Sequence, residues 1–367
     1  MRKLDTIIRD YHWGSRTALA ELRGAPSPSP APEAELWVGA HPDDPSRLRD
    51  CGVPLDRYLA ANPAGLLGPG SLAAFGPRLP FLLKVLAVDA PLSLQVHPDR
   101  EQAATGYAER GYRDDRAKPE VLVALTEFAT LAGFRAPAAT AALLDALAVP
   151  GLAPVRAAVA AGEVGEALRL ALTGTTGGLV AEVAAAAARV PALAHVAELA
   201  EVYPGDPGVV AALLLDAVVL RPGQAVYVGP GVPHAHLRGV GVELMVNSDN
   251  VLRAGLTTKE VDVPAVLSVV DTRCGPAAVL AGEVDGPLRT YPTPDPEFRL
   301  HEARPGAVLP GGGPQLLLCV NGSVVVRRGG DEVVLAAGES AFLPHDEDAA
   351  QLAGEGRAFW AAVNLGA

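Results

Sequence analysis

Gln95-Val96-His97 places an amide and an imidazole two residues apart, and side chains at that spacing project from one face of a β-strand. An amide oxygen beside a ring nitrogen is half of a metal-ligand set. Lys118-Pro119-Glu120 follows at loop distance and adds a carboxylate. Pro233-His234-Ala235-His236 comes much later, behind a turn rich in Gly and Pro. Mixed oxygen and nitrogen donors of this kind suit a divalent cation, with zinc the first choice. Each residue also has an ordinary use. Gln-x-His can be a satisfied polar pair in a core, Glu120 a solvated loop residue, and His234 a turn residue beside proline. Only their convergence would make a metal centre, so the question passes to the elements that carry them.

Residues 1 to about 135 hold short apolar runs separated by Gly, Pro and Asp, and 35–39, 81–86, 93–97 and 121–125 read as strands. From about 136 to 215 the composition turns to Ala, Leu, Val and Glu. Segments 138–147, 155–172 and 179–202 fit helices, broken at Pro150-Gly151, 174–178 and 204–208. Strand character returns at 217–228, followed by a Gly-Pro turn and His234, the pattern of a small jelly-roll or cupin barrel. Segments 316–326, 333–344 and 358–363 suggest a second barrel, and 220–230 and 335–344 look like a weak internal repeat. The second copy is followed by His345 and Asp346 but lacks a Gln-x-His strand, so its expected role is structural. The expected fold is mainly β, a bicupin of two jelly-roll barrels with an inserted α-helical domain. Residues 1–135 and 216–265 would form the catalytic cupin domain, 136–215 the helical insertion and 266–367 the C-terminal jelly-roll domain.

A 367-residue chain with 49% hydrophobic and 20% charged residues is globular. Its net charge of -12 argues against a nucleic-acid or anionic-membrane binder, both of which need excess Lys and Arg. An anionic small substrate stays open, because a few local cations suffice for one phosphate. The N-terminus has no apolar core of a secretory signal, and charges or prolines break every longer apolar stretch. Cys51, Cys274 and Cys319 are scattered without CxxC spacing and read as buried free thiols of a cytoplasmic protein. No P-loop or GxGxxG fingerprint occurs, so nucleotide binding is not indicated.

The chain resembles the type I mannose-6-phosphate isomerases, a zinc-dependent family. The resemblance runs through Tyr11-His-Trp-Gly-Ser15, Ala34-Glu-Leu-Trp-Val-Gly-Ala-His-Pro42, Pro80 to Leu86, Leu92 to Asp99, Lys118-Pro-Glu120 and Leu131 to Arg135. Its most specific piece is the stretch from Pro233 to Lys259. Two positions depart from the family pattern: His236 stands where the family usually has Tyr, and Ala117 where an imidazole often precedes Lys-Pro-Glu. His234 matches the family's ligand position.

The resemblance implies that one zinc is held by Gln95, His97, Glu120 and His234. It also implies interconversion of mannose 6-phosphate and fructose 6-phosphate through an enediol, with Arg253 catalytic and Ser93 and Lys84 at the phosphate. Glu243 is the leading candidate for the general base, with Lys118, Lys259 and a water on the metal as rivals. Arg253 could instead be paired with Glu243 or Asp249, Glu243 with Arg253 or Lys259, and Lys84 could be an edge-strand charge with its tip in water. His12, His41, His195, His301 and His345 lack such company and read as structural or surface residues. A phosphosugar is the expected partner and a monomer the expected state. Two other classes remain: an iron-dependent cupin oxygenase, against which the Gln ligand and the Arg253 motif speak, and a non-catalytic sugar-binding bicupin.

Overall fold

The computed structural model describes residues 1–273, 275–346 and 348–365. Among the described residues, the strands form sheets of eleven, eight and four members. The main path of the largest sheet runs Val279–Leu280, Ala225–Val228, Glu120–Ala124, His234–Val246, Phe81–Val88, Glu35–Val38 and Ile7–Arg9. A second wall of Leu94–Val96, Leu252–Gly255, Phe128–Phe134 and Leu215–Leu220 joins it through the first residues of His234–Val246. The long strand His234–Val246 therefore belongs to both walls.

Register decides which residues face the same way. Lys84 lies opposite Glu243 on one side and Trp37 on the other, and Glu243 lies opposite Leu122, two residues from Glu120. Directly opposed residues share a face, so Glu35, Trp37, Lys84, Glu120 and Glu243 line one side of the sheet. Leu36, Val38, Leu83, Val85, Val121, Val123, Val242 and Leu244 line the other. They pack into one core with Leu316, Phe342 and Phe359 of the eight-stranded sheet. Sheet membership cuts across chain order: Arg2–Asp5 pairs with Ser340–Leu343 among the C-terminal strands.

Helices fill 137–211 as expected, but in shorter pieces. The expected helix 155–172 is two, Ala153–Ala160 and Val164–Thr173, reversed at Gly162, whose φ of +77° suits glycine. The expected helix 179–202 ends at Ala187, and a new start follows Pro191. Among the described residues no single helix is long and apolar enough to cross a membrane. Helices Leu55–Ala61, Pro63–Phe75 and Arg100–Glu109 were not anticipated in the strand-rich first third. The last begins at Asp99, which forms a capping box with Gln102. Asp99 thus ends the Gln95-to-Asp99 motif as a helix cap.

The expectation of buried thiols holds for Cys319 and fails for Cys51, which is exposed beside the Arg2 guanidinium; Cys274 lies outside the described residues. His301 is structural as expected. It is buried, stacks on Trp360 with ring centroids 4.3 Å apart, and shares a hydrogen bond with Thr290 Oγ1. Burial, aided by Arg299, pushes its pKa down to about 4. The folded ring stays neutral while the unfolded ring protonates below about 6.5, so the unfolded state binds more protons and stability falls as pH drops from about 6.5 to about 4. The loss expected from this residue is about 3 kcal/mol. His301→Phe keeps the stacking ring and removes the proton site. Urea unfolding at pH 7 and pH 4.5 should therefore show a smaller acid loss in the variant than in the parent.

Candidate metal centre and active site

Glu120 stands between two histidines. Its Oε1 is 3.1 Å from His234 Nε2, and its Oε2 is 3.6 Å from His97 Nε2. Both rings are anchored from behind: His97 Nδ1 lies 2.9 Å from the Asn250 carbonyl, and His234 Nδ1 lies 3.0 Å from the Val232 carbonyl. A carbonyl only accepts, so each Nδ1 carries a proton, which leaves each Nε2 as the ring atom turned toward Glu120. His97 is fully buried, and burial together with Lys118 lowers its pKa to about 4, so it is neutral near pH 7. Its Nε2 has no hydrogen-bond partner. Burial raises the Glu120 pKa, but Lys118, 3.6 Å away, helps hold it well below the usual range. Two imidazole Nε2 atoms turned on one buried carboxylate, one of them without a hydrogen-bond partner among the described residues, make a donor cluster that a cation would bridge. The donor set therefore fits zinc, and the three ligand atoms lie within 4.8 Å of one another.

Gln95 completes this group from the second wall. It lies in register with His234 on one neighbouring strand and with Arg253 on the other. Its Nε2 donates to Ser93 Oγ at 3.2 Å, which leaves Oε1 as an oxygen donor. Gln95 lines the same inner recess as Glu120 and His234.

A second charged group lines the same recess, with Glu35, Trp37 and Lys84 also reaching the wider cavity. Lys84 Nζ is 3.6 Å from Glu35 and 3.3 Å from Glu243, and the Trp37 indole donates to Glu35. Lys84 sits on the central strand Phe81–Val88 and is buried, so the edge-strand alternative does not hold. Burial lowers its pKa, but the two carboxylates outweigh that and raise it well above normal. Already balanced by two anions, its ammonium has little charge left for a phosphate dianion. We expect Lys84→Met to act mainly on the fold. It leaves Glu35 and Glu243 buried without their cation, a cost of about 3–5 kcal/mol, read as a lower urea midpoint at pH 7. A larger change in the Michaelis constant than in stability would return Lys84 to the phosphate site.

A bulge brings His236 and Glu243 together. They are seven apart, which on a regular strand puts them on opposite faces. The register of His234–Val246 shifts between His236 and Arg238, and the extra residue flips the parity. His236 Nε2 then reaches within 3.6 Å of Glu243 Oε1.

Above the recess opens a cavity of about 640 Å³ lined by Ser93, Gln95, Lys118, Asp249, Arg253 and Lys259, among others. The salt bridges that would have made Arg253 merely structural are absent. Glu243 is taken by Lys84 and His236, and Asp249 by His41 at 3.3 Å and Arg113 at 3.8 Å. Among the described residues Arg253 and Lys259 form no ion pair, which leaves two cations facing the cavity. The turn carrying Lys259 is held from the helical insertion: Asp206 accepts from the backbone of Leu256 and Thr257 at 2.9 and 3.0 Å. Gly255, with φ +128°, permits this approach, because a Cβ there would sit 2.5 Å from Gly208 Cα.

Sequence reasoning missed His41, Asp249 and Asn250 as site residues. His41 is buried in the cavity wall against Trp37 and Asp249, and His12 also lines the cavity. Asn250 fixes His97 through its carbonyl and the 113–116 loop through its amide, whose Nδ2 donates to the Asp114 and Arg116 carbonyls at 2.7 and 2.9 Å. All three lie inside quoted motifs, so position within a motif was the available signal. His195 and His345 lie outside the cavity.

Residues 1–137 match the family model for the phosphomannose isomerase type I catalytic domain, and 312–362 that for the mannose-6-phosphate isomerase cupin domain. Mannose-6-phosphate isomerase of Salmonella typhimurium is 35% identical over 393 residues, covering 97% of this chain and 98% of the relative. Mannose-6-phosphate isomerase 1 of Arabidopsis thaliana is 31% identical, covering 95% and 90%. A crystal structure of a phosphomannose isomerase variant from Salmonella typhimurium superposes with a TM-score of 0.91 at 33% identity, covering 99% of this chain and 100% of that one. A mannose 6-phosphate isomerase bound with zinc and yttrium superposes with a TM-score of 0.90 at 34% identity, with 99% of each covered.

Proposed function

The chain belongs to the type I phosphomannose isomerases, and on that premise we propose that Gln95, His97, Glu120 and His234 hold its one resident zinc at the foot of the cavity. The chemistry is the reversible isomerisation of mannose 6-phosphate and fructose 6-phosphate. The observation that carries the ligand assignment is the pair of carbonyl-anchored imidazoles whose Nε2 atoms converge on Glu120. When bound, zinc supplies positive charge beside the C1 and C2 oxygens of the open-chain sugar.

The side chains then divide the work. The barrier is removal of the C2 proton beside a carbonyl, with return of a proton to C1. Asp249 is our choice of base over Glu243. Glu243 is buried with one oxygen on Lys84 and the other toward His236, whereas Asp249 is half-buried in the cavity wall. The His41 hydrogen bond orients Asp249 and holds its pKa below normal. Arg253 donates to the oxygens that become negative in the enediolate. Lys118 adds a buried cation beside Glu120, and Lys259 with Ser93 receives the phosphate. We place the enzyme in the cytoplasm as a monomer with catalytic, helical and C-terminal units bounded near 135, 215 and 265, except that Arg2–Asp5 pairs among the C-terminal strands and Val279–Leu280 in the catalytic sheet.

The test is a coupled assay with mannose 6-phosphate, run on the full chain, on the chelated chain and after zinc is added back. Activity should vanish and return. Turnover that survives removal of all metal would end the zinc reading. Asp249→Asn run beside Glu243→Gln separates the bases: the first should lose turnover with metal retained.

A further inference from the structure

We infer that the chain carries a second, weaker divalent-cation site next to the zinc site, formed by His236 Nε2 with the carboxylates of Glu243 and Glu120. This rests on the zinc-ligand reading above, because Glu120 is common to both groups. The three ligand atoms lie within 4.8 Å of one another, and all three residues are buried. His236 is only 4% exposed, and its Nε2 has no hydrogen-bond partner.

The ring is fixed in place by its neighbour. Thr130 Oγ1 lies 3.0 Å from His236 Nδ1, and the hydroxyl is itself held 3.2 Å from the Ala235 carbonyl and 3.3 Å from the Leu131 carbonyl. Nε2 is thereby aimed at Glu243 Oε1, 3.6 Å away. The arrangement repeats that of His97 and His234 with Glu120: an imidazole tethered through Nδ1, with Nε2 facing a buried carboxylate.

Lys84 occupies the far oxygen of Glu243 and leaves Oε1 open to the recess. One imidazole and two carboxylates suit a borderline ion such as Mn²⁺, Co²⁺ or Zn²⁺. The site is the weaker of the two because Lys84, Lys118 and the first cation all lie close by. A carboxylate shared by two cations is the arrangement of two-metal centres.

The experiment titrates the chelated full chain with Mn²⁺, counting bound ions by the loss of the free-ion spin-resonance signal. The wild type should bind two equivalents, one tight and one weaker, and the doubly loaded form should show exchange coupling between the ions. His236→Phe and His236→Gln should each bind one equivalent, the tight one. His97→Ala should lose the tight equivalent. One equivalent in the wild type overturns the second site and leaves the zinc reading intact. None in the wild type also overturns the second site, and the zinc add-back assay then decides the zinc reading on its own. A second equivalent that survives in either His236 variant also overturns the second site. Circular dichroism confirms that the variants are folded, and the wild-type count decides the matter if neither is.

Discussion

His97→Ala is expected to lose the zinc and the isomerase activity together. The ring is fully buried and is one of two imidazoles in the proposed zinc-ligand group. Alanine leaves Glu120, His234 and an amide oxygen, a set too poor to hold zinc against a mild chelator. Without the cation, the sugar oxygens lose charge stabilisation worth several kcal/mol, so turnover should fall by roughly 10²–10³-fold or more. The fold should survive with a smaller penalty. The Asn250 carbonyl loses its donor, a cost of about 1–3 kcal/mol, while the surrounding sheet is undisturbed. Metal analysis after dialysis, the coupled assay and a urea curve on one preparation give all three numbers. A variant that binds zinc normally yet is inactive would make His97 a catalytic group and not a ligand.

The proposed metal group was readable from the sequence because its two halves use short spacings. Gln95 and His97 are two apart, and Glu120 follows a proline that sets the strand entry. What the spacing could not convey was how the halves meet. Gln95 pairs with His234 through a register between residues 139 apart, and no local pattern encodes that. The charged floor was harder to read. Phe81–Val88 is buried along its whole length, so the alternation that separates core face from site face is hidden by apolar residues on both sides. Lys84 was the only visible break, and it was read as a substrate group when its partners are protein carboxylates. The bulge after His236 lies beyond sequence reading for a similar reason. It is set by pairing with Phe128–Phe134 and reverses the face on which Glu243 falls. Helix number failed for local causes. Alanine-rich segments carry little periodicity, and a single glycine at 162 reversed the chain where no Pro-Gly pair marked it.

Arg253→Ala should give the opposite signature to the ligand variant: zinc and fold retained, turnover lost. Arg253 lies opposite Gln95 in the pairing of Leu252–Gly255 with Leu94–Val96, one strand away from His234. It therefore borders the metal group without belonging to it. Among the described residues it has no carboxylate partner, so removing it leaves no buried charge uncompensated, and the stability cost should stay within about 0.5–1 kcal/mol. The guanidinium is half-buried in a cavity wall, where a fixed donor pair acts on charge that appears only as the C2 proton leaves. Losing such a donor costs roughly 10²–10³-fold in kcat. The Michaelis constant should move far less, because Lys259 and Ser93, the proposed phosphate groups, are untouched. Arg253→Lys restores the charge but not the planar fork and should recover only part of the loss. Steady-state kinetics with metal analysis on the three forms distinguishes the outcomes. A rise in the Michaelis constant with kcat unchanged would move Arg253 to the phosphate. Near-normal values of both would remove it from the reaction and leave the metal centre as the main source of charge for the enediolate.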